Sequence, residues 1–138
     1  MAETSTSSYG IGTTVEGPFA QAVQRVKEAF KAEQFGTLSE IDVTATLREK
    51  TGEAIEPYTI LGMCNPRLAS SAIQAEHEIG LLLPCNVLVH ECGGRVHVSA
   101  QDPRVLMQVA QNEALRPIAE EARQRIERAI ASLGSAQA

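Results

Sequence analysis

The stretch Pro57–Glu91, PYTILGMCNPRLASSAIQAEHEIGLLLPCNVLVHE, is the most apolar part of the chain. It carries two cysteine tripeptides in mirrored order, Cys64-Asn65-Pro66 and Pro84-Cys85-Asn86. Tyr58 to Met63 is a mostly apolar run of strand length, which predicts a well-buried strand. Asn65-Pro66 predicts a helix start, because Asn caps free backbone N–H groups and Pro fits the first turn. Leu68, Ala69, Ala72, Ile73 and Ile79 mark the buried face of that helix, and Gly80 ends it. Leu81–Leu83 and Val87–Val89 predict one strand interrupted by Pro84. Proline donates nothing to a sheet ladder, so Pro84 implies a bulge or an edge.

Working outward, Gly93-Gly94 is a two-residue hairpin signal. It sets Cys92 opposite Arg95, Glu91 opposite Val96, His90 opposite His97 and Val89 opposite Val98. Val87, Val89, Val96, Val98 and Ala100 then share one face, apolar except for Glu91 at its end. Leu88, His90, Cys92, Arg95, His97 and Ser99 share the other. Downstream, Asp102-Pro103 starts a short helix to about Ala110, and Asn112 caps a last one with Pro117 near its start. Leu115, Ile118, Ala122, Ile126, Ala129 and Leu133 form its apolar stripe. Glu121–Arg125 and Arg123–Glu127 are spaced for surface ion pairs.

Upstream, Tyr9, Ile11 and Thr13 alternate with Gly10, Gly12 and Thr14 as a first strand. Gly17-Pro18 opens a helix with Phe19, Ala22, Val23, Val26, Ala29 and Phe30 on one face, ended by Gly36. Leu38, Ile41 and Val43 mark a second strand, and Thr46–Lys50 a helical turn closed by Thr51-Gly52. The polar ends, 1–7 and 135–138, are expected to be frayed tails around a single domain at 8–134. The economical architecture is α+β: a twisted antiparallel sheet with helices on one face. The other face must then meet water, a ligand or a partner.

Bulk properties narrow the function. The 138 residues suit one domain with a sizeable core. A net charge of −5 without a basic cluster argues against nucleic acid. No apolar run reaches the roughly 20 residues of a membrane span. The start, MAETSTSSYG, has no basic region followed by an apolar core, so no signal peptide is expected. Three cysteines without a CxxC pair or an even framework point to a reduced, cytoplasmic protein.

The residues also resemble a known family. Pro57 to Pro66, Leu68-Ala69 and Gly80 to Glu91 look like the motifs of the domain of unknown function 302 family (DUF302). The likeness extends to Ile41-Asp42-Val43 and Asp102-Pro103. The resemblance implies a fold like that of the TATA-binding protein, β-α-β(4)-α in outline with an inserted helix, and a homodimer. It does not imply DNA binding, because that fold hosts unrelated functions. His90, Cys92 and His97 fall outside the motif.

Cys64 and Cys85 each sit beside Asn and Pro at a strand break. One reading is a thiol pair converging near the helix that starts at Pro66, whose positive end would activate a nearby thiol. The other is that both are small buried hydrophobes, with Asn65 and Asn86 satisfying backbone. His90, Cys92 and His97 on one sheet face are chemically suitable zinc ligands. The alternative is a solvated polar face. Glu91 is either a half-buried acid or base, or a paired carboxylate at the sheet end. Non-covalent haem is allowed by the Met, Cys and His present, though no spacing demands it.

The favoured expectation is a non-enzymatic, homodimeric domain that binds a small, largely apolar ligand or cofactor. Its pocket would be lined by Tyr58, Met63, Cys64, Asn65, Leu83, Pro84, Cys85, Asn86 and Glu91, since a few amides and thiols in an apolar setting make a typical ligand site. The alternatives are a thiol-dependent enzyme or redox protein using Cys64 or Cys85, and a structural dimer without a ligand.

Overall fold

The structure, a computed structural model, describes residues 7–135. The expected tails at 1–7 and 135–138 therefore fall almost wholly outside the described residues. Five strands form one antiparallel sheet in the order β1-β5-β4-β3-β2. They are β1 (Gly10–Val15), β2 (Gly36–Asp42), β3 (Tyr58–Cys64), β4 (Cys85–Cys92) and β5 (Arg95–Gln101). The helices are α1 (Phe19–Ala32), α2 (Val43–Thr51), α3 (Pro66–Ala75), α4 (Arg104–Ala110) and α5 (Arg116–Ser135). Short 3-10 turns at His77–Leu82 and Glu113–Leu115 precede β4 and α5.

Local chemistry accounts for these boundaries. Asp42 Oδ1 accepts from Ala45 N at 2.9 Å to start α2, and Gly52, at φ 76°, ends it in the left-handed region. Asn65 Oδ1 accepts from Leu68 N at 3.2 Å to start α3. Gly93 and Gly94, with φ 62° and 80°, close the β4–β5 hairpin. The pairing is the expected one, with Cys92 opposite Arg95, Glu91 opposite Val96, His90 opposite His97 and Val89 opposite Val98.

The pleat then sends Val87, Val89, Val96, Val98 and Ala100 to one face, where all are buried. They pack with Val23, Val26 and Phe30 of α1 and Ile126, Ala129 and Leu133 of α5 in the main core. Phe30 and Phe35 meet edge to face, with centroids 5.9 Å apart. A second cluster joins Ala72, Ile79, Leu106 and Leu115 among α3, α4 and the two 3-10 turns. The opposite sheet face carries Ile60, Leu88, His90, His97 and Ser99, all half-buried.

Several expectations are corrected. The first helix ends at Ala32 and Gly36 opens β2, while Val43 begins α2 and is not part of the second strand. The helix expected to run to Gly80 ends at Ala75, and Ile79 lies in the following 3-10 turn. Leu81 and Leu82 belong to the same turn and not to a strand, and Leu83 follows it in extended conformation. β4 begins at Cys85, so Pro84 needs no bulge: it lies ahead of the ladder. The register shift occurs in β2, between Thr37 and Ser39. Ile79 and Leu82 find apolar neighbours in the second cluster, which removes the need for a sheet to bury them.

Gly62 marks a close approach beside this entry to β4. A Cβ there would overlap Ser39 Oγ and lie 3.0 Å from Pro84 Cγ. Both expected ion pairs on α5 form, Arg125–Glu121 at 3.0 Å and Arg123–Glu127 at 2.8 Å. Arg67 also pairs with Glu121, tying α3 to α5.

Candidate functional site

Antiparallel pairing brings the end of β3 beside the start of β4, with Met63 opposite Cys85 and Gly62 opposite Asn86. The mirrored tripeptides therefore meet at one end of the sheet. There β3 passes through Asn65 into α3, and the chain returns through Leu83 and Pro84 into β4. A cavity of about 330 Å³ opens at this junction.

The sheet side of the cavity is Met63, Cys64 and Cys85, with Leu83 and Pro84 beside them. Leu68, Ala69, Ala72 and Ile73 line it from α3, Leu106 from α4, and Ile118, Ala119, Ala122 and Ile126 from α5. Alanine supplies four of these helical positions, and its short side chain leaves the space open. The cavity lies between the two apolar clusters: Phe35, Met63 and Ile126 come from the main core, and Ala72 and Leu106 from the second. Leu38 and Ile73, 70% and 40% exposed, stand where it meets solvent. Among the described residues, no charged side chain lines it.

Its polar groups are few. Asn65 is only 4% exposed; Oδ1 is engaged by Leu68 N–H, while the buried Nδ2 has no hydrogen-bond partner among the described residues. Cys85 Sγ donates to Gln101 O at 3.6 Å. Burial pushes the Cys85 thiol up to about 12, with the nearby Asp102 carboxylate adding to the rise. Burial also raises Cys64 above the ordinary thiol value, so proximity to the start of α3 leaves it un-activated. All three cysteines are free.

Asp102 sits behind the cavity wall, between the lining residues Gln101 and Pro103, and is 3% exposed. It accepts from Arg104 N at 2.9 Å, Arg104 Nε at 3.0 Å and Arg104 Nη2 at 2.7 Å. Arg123 Nε lies 3.4 Å from its other face. Burial pushes this carboxyl up, but the Arg104 hydrogen bonds and the two guanidinium charges outweigh it, and its pKa falls below the ordinary value.

Of the residues singled out from sequence, Met63, Cys64, Asn65, Leu83, Pro84 and Cys85 line the cavity. Tyr58, Asn86 and Glu91 do not. Tyr58 begins β3 at the far end of the sheet, its ring 5.7 Å from that of His90. Asn86 is exposed and one pleat out of phase with Cys85 and Val87. Glu91 lies at the hairpin end of β4, where its N–H donates to Pro57 O at 2.9 Å.

The three residues weighed as zinc ligands do not come together as one group. His90 and His97 do stack, with centroids 5.2 Å apart, but Cys92 is exposed beyond them. Among the described residues, no three His, Cys, Asp or Glu side chains are grouped to hold a metal ion. Burial and the neighbouring His97 lower the pKa of His90, against an opposing pull from Glu56.

Leu68, Ala69, Ala72, Ile73, Ile118, Ala122 and Ile126 were legible as apolar faces by their spacing, and Leu106 and Ala119 were not. Periodicity assigns such faces to the interior without saying that the space before them is unfilled. Phe35, Leu38, Gln101 and Pro103 carried no site signal, because only the fold brings them there.

A sequence model of the family described as Domain of unknown function DUF302 matches residues 11–133. The crystal structure of an uncharacterized conserved DUF302 protein from Bacillus stearothermophilus superposes with a TM-score of 0.85. The two are 26% identical, over 92% of this chain and 99% of that one. Among curated proteins, none matches this chain. With its motifs, its five-stranded sheet and a family match spanning nearly all described residues, the chain belongs to the DUF302 family.

Proposed function

We propose that this domain binds a small, largely apolar molecule without catalysing its conversion, in the cavity where β3 and β4 meet α3, α4 and α5. The observation that carries this is a space of about 330 Å³ whose lining is hydrocarbon apart from one buried amide, one glutamine and two thiols. That volume lies at the lower end of ordinary ligand pockets, roughly 300–1,000 Å³. The thiol-enzyme alternative is disfavoured because both lining cysteines have raised pKa values and stay protonated at neutral pH.

Ethylbenzene tests the proposal. At saturation it is expected to raise the Tm of the native chain and to raise that of Ala69→Leu by less, because the added side chain takes up part of the space. Equal shifts for both, or none for either, refute the reading.

The working unit in this proposal is a cytoplasmic homodimer. The sheet face with Ile60, Leu88, His90 and His97 supports it, because both core clusters lie elsewhere and these side chains are only half-buried. The free cysteines suit a reducing compartment. Light scattering on Leu88→Lys is expected to report a monomer mass against a dimer mass for the native chain. A native chain that is already monomeric refutes the dimer.

A further inference from the structure

We infer that the molecule taken up by this cavity is neutral and presents one hydrogen-bond acceptor, a carbonyl or ether oxygen on an apolar frame, to Asn65 Nδ2. This rests on the apolar-ligand reading above and sharpens it.

The orientation of the Asn65 amide is set chemically. Leu68 N–H donates to one end of it at 3.2 Å, so that end must be the oxygen and the other must carry the two N–H donors. That NH₂ group is buried and unpaired, on a side chain 4% exposed that lines the cavity. Buried donors are nearly always satisfied, and one left over beside an apolar space calls for an acceptor from outside the chain.

The other polar groups exclude a charged ligand. Cys85 S–H is engaged by Gln101 O. Among the described residues, no basic side chain lines the cavity to pair with a carboxylate, and no acidic one to pair with an amine. Asp102, just behind the wall, is held by Arg104 and Arg123 and is not available to a cation. An ion would therefore enter without a counter-charge, at a high desolvation cost.

The test compares four probes of similar shape by calorimetry at pH 7: ethylbenzene, acetophenone, benzoate and benzylamine. Acetophenone is expected to bind roughly 3- to 10-fold more tightly than ethylbenzene, the worth of one net hydrogen bond. Benzoate and benzylamine are expected to bind more weakly than either. Asn65→Asp keeps the helix cap, since Asp caps as well as Asn, but an ionised carboxylate only accepts, so the donor is gone. It is expected to reverse the order, with ethylbenzene the tighter. In the native chain, the Asn65 side-chain amide resonances are expected to shift with acetophenone and not with ethylbenzene.

Ethylbenzene binding more tightly than acetophenone to the native chain overturns the inference and leaves the apolar-ligand reading standing. A preference for acetophenone that survives Asn65→Asp, or tighter binding of either ion to the native chain, overturns it too. Failure of all four probes to bind removes both readings together.

Discussion

Ala69→Leu separates a real space from closely packed wall by the sign of its effect. Ala69 lies on α3, is half-buried and lines the cavity. Leucine adds three carbons, and each buried carbon contributes about 0.8 kcal/mol, or about 2.4 kcal/mol at full burial. The position is half-buried, which brings this to about 1.2 kcal/mol, and lost rotamer freedom subtracts roughly 0.5 kcal/mol. Helix propensity hardly changes. The net is a stabilisation of about 0.5–1 kcal/mol, or a rise in Tm of roughly 2–4 °C for a domain of this size. Were the wall closely packed, the same substitution would cost about 1–3 kcal/mol through overpacking and Tm would fall. Differential scanning calorimetry with and without ethylbenzene reads both quantities. At ten times the native Kd, the probe stabilises the native chain by about 1.4 kcal/mol and the variant by less. Ala20→Leu, on the exposed side of α1, controls for composition and is expected to stay within about 0.5 kcal/mol. A fall in Tm for Ala69→Leu refutes the reasoning, because it means there is no room at that wall.

Gly62→Ala sets a Cβ against Ser39 Oγ and the Pro84 ring, and is expected to destabilise by about 1–3 kcal/mol in urea unfolding, with part restored by Ser39→Gly. Asp102 has a lowered pKa in the fold, so its contribution to stability is complete above the unfolded value of about 3.9 and is lost as pH falls through the folded value. Asp102→Asn is therefore expected to flatten the acid limb of a stability–pH curve below about pH 4; an unchanged slope counts against the Arg104 pairing. A thiol reagent at pH 7.5 is expected to modify Cys92 quickly, Cys64 slowly and Cys85 only on unfolding. Fast labelling of Cys85, followed by mass spectrometry, would contradict its burial and restore the redox alternative.

Much of the fold was legible because local geometry fixes the side-chain period. Gly93-Gly94 alone determined the β4–β5 register, and with it which valines enter the core. Asn65-Pro66 announced a helix start through capping chemistry, whereas Asp42, read as part of a strand, turned out to cap α2. Leu81–Leu83 was misread because a short apolar run has no distinguishing period. The second apolar cluster, and not a sheet, provides for the neighbouring Ile79 and Leu82.

The candidate site divides in the same way. The mirrored tripeptides marked both chain segments at the cavity, and helical spacing marked Leu68, Ala69, Ala72 and Ile73 as one inward face. Only the tertiary structure decided that α3, α4 and α5 leave a cavity at this end of the sheet, and that Asn86 and Glu91 lie away from the opening. A residue's own period says which way its side chain turns. How far off the opposing surface sits depends on the packing of distant elements, and that distance is what separates a filled core from a place to bind.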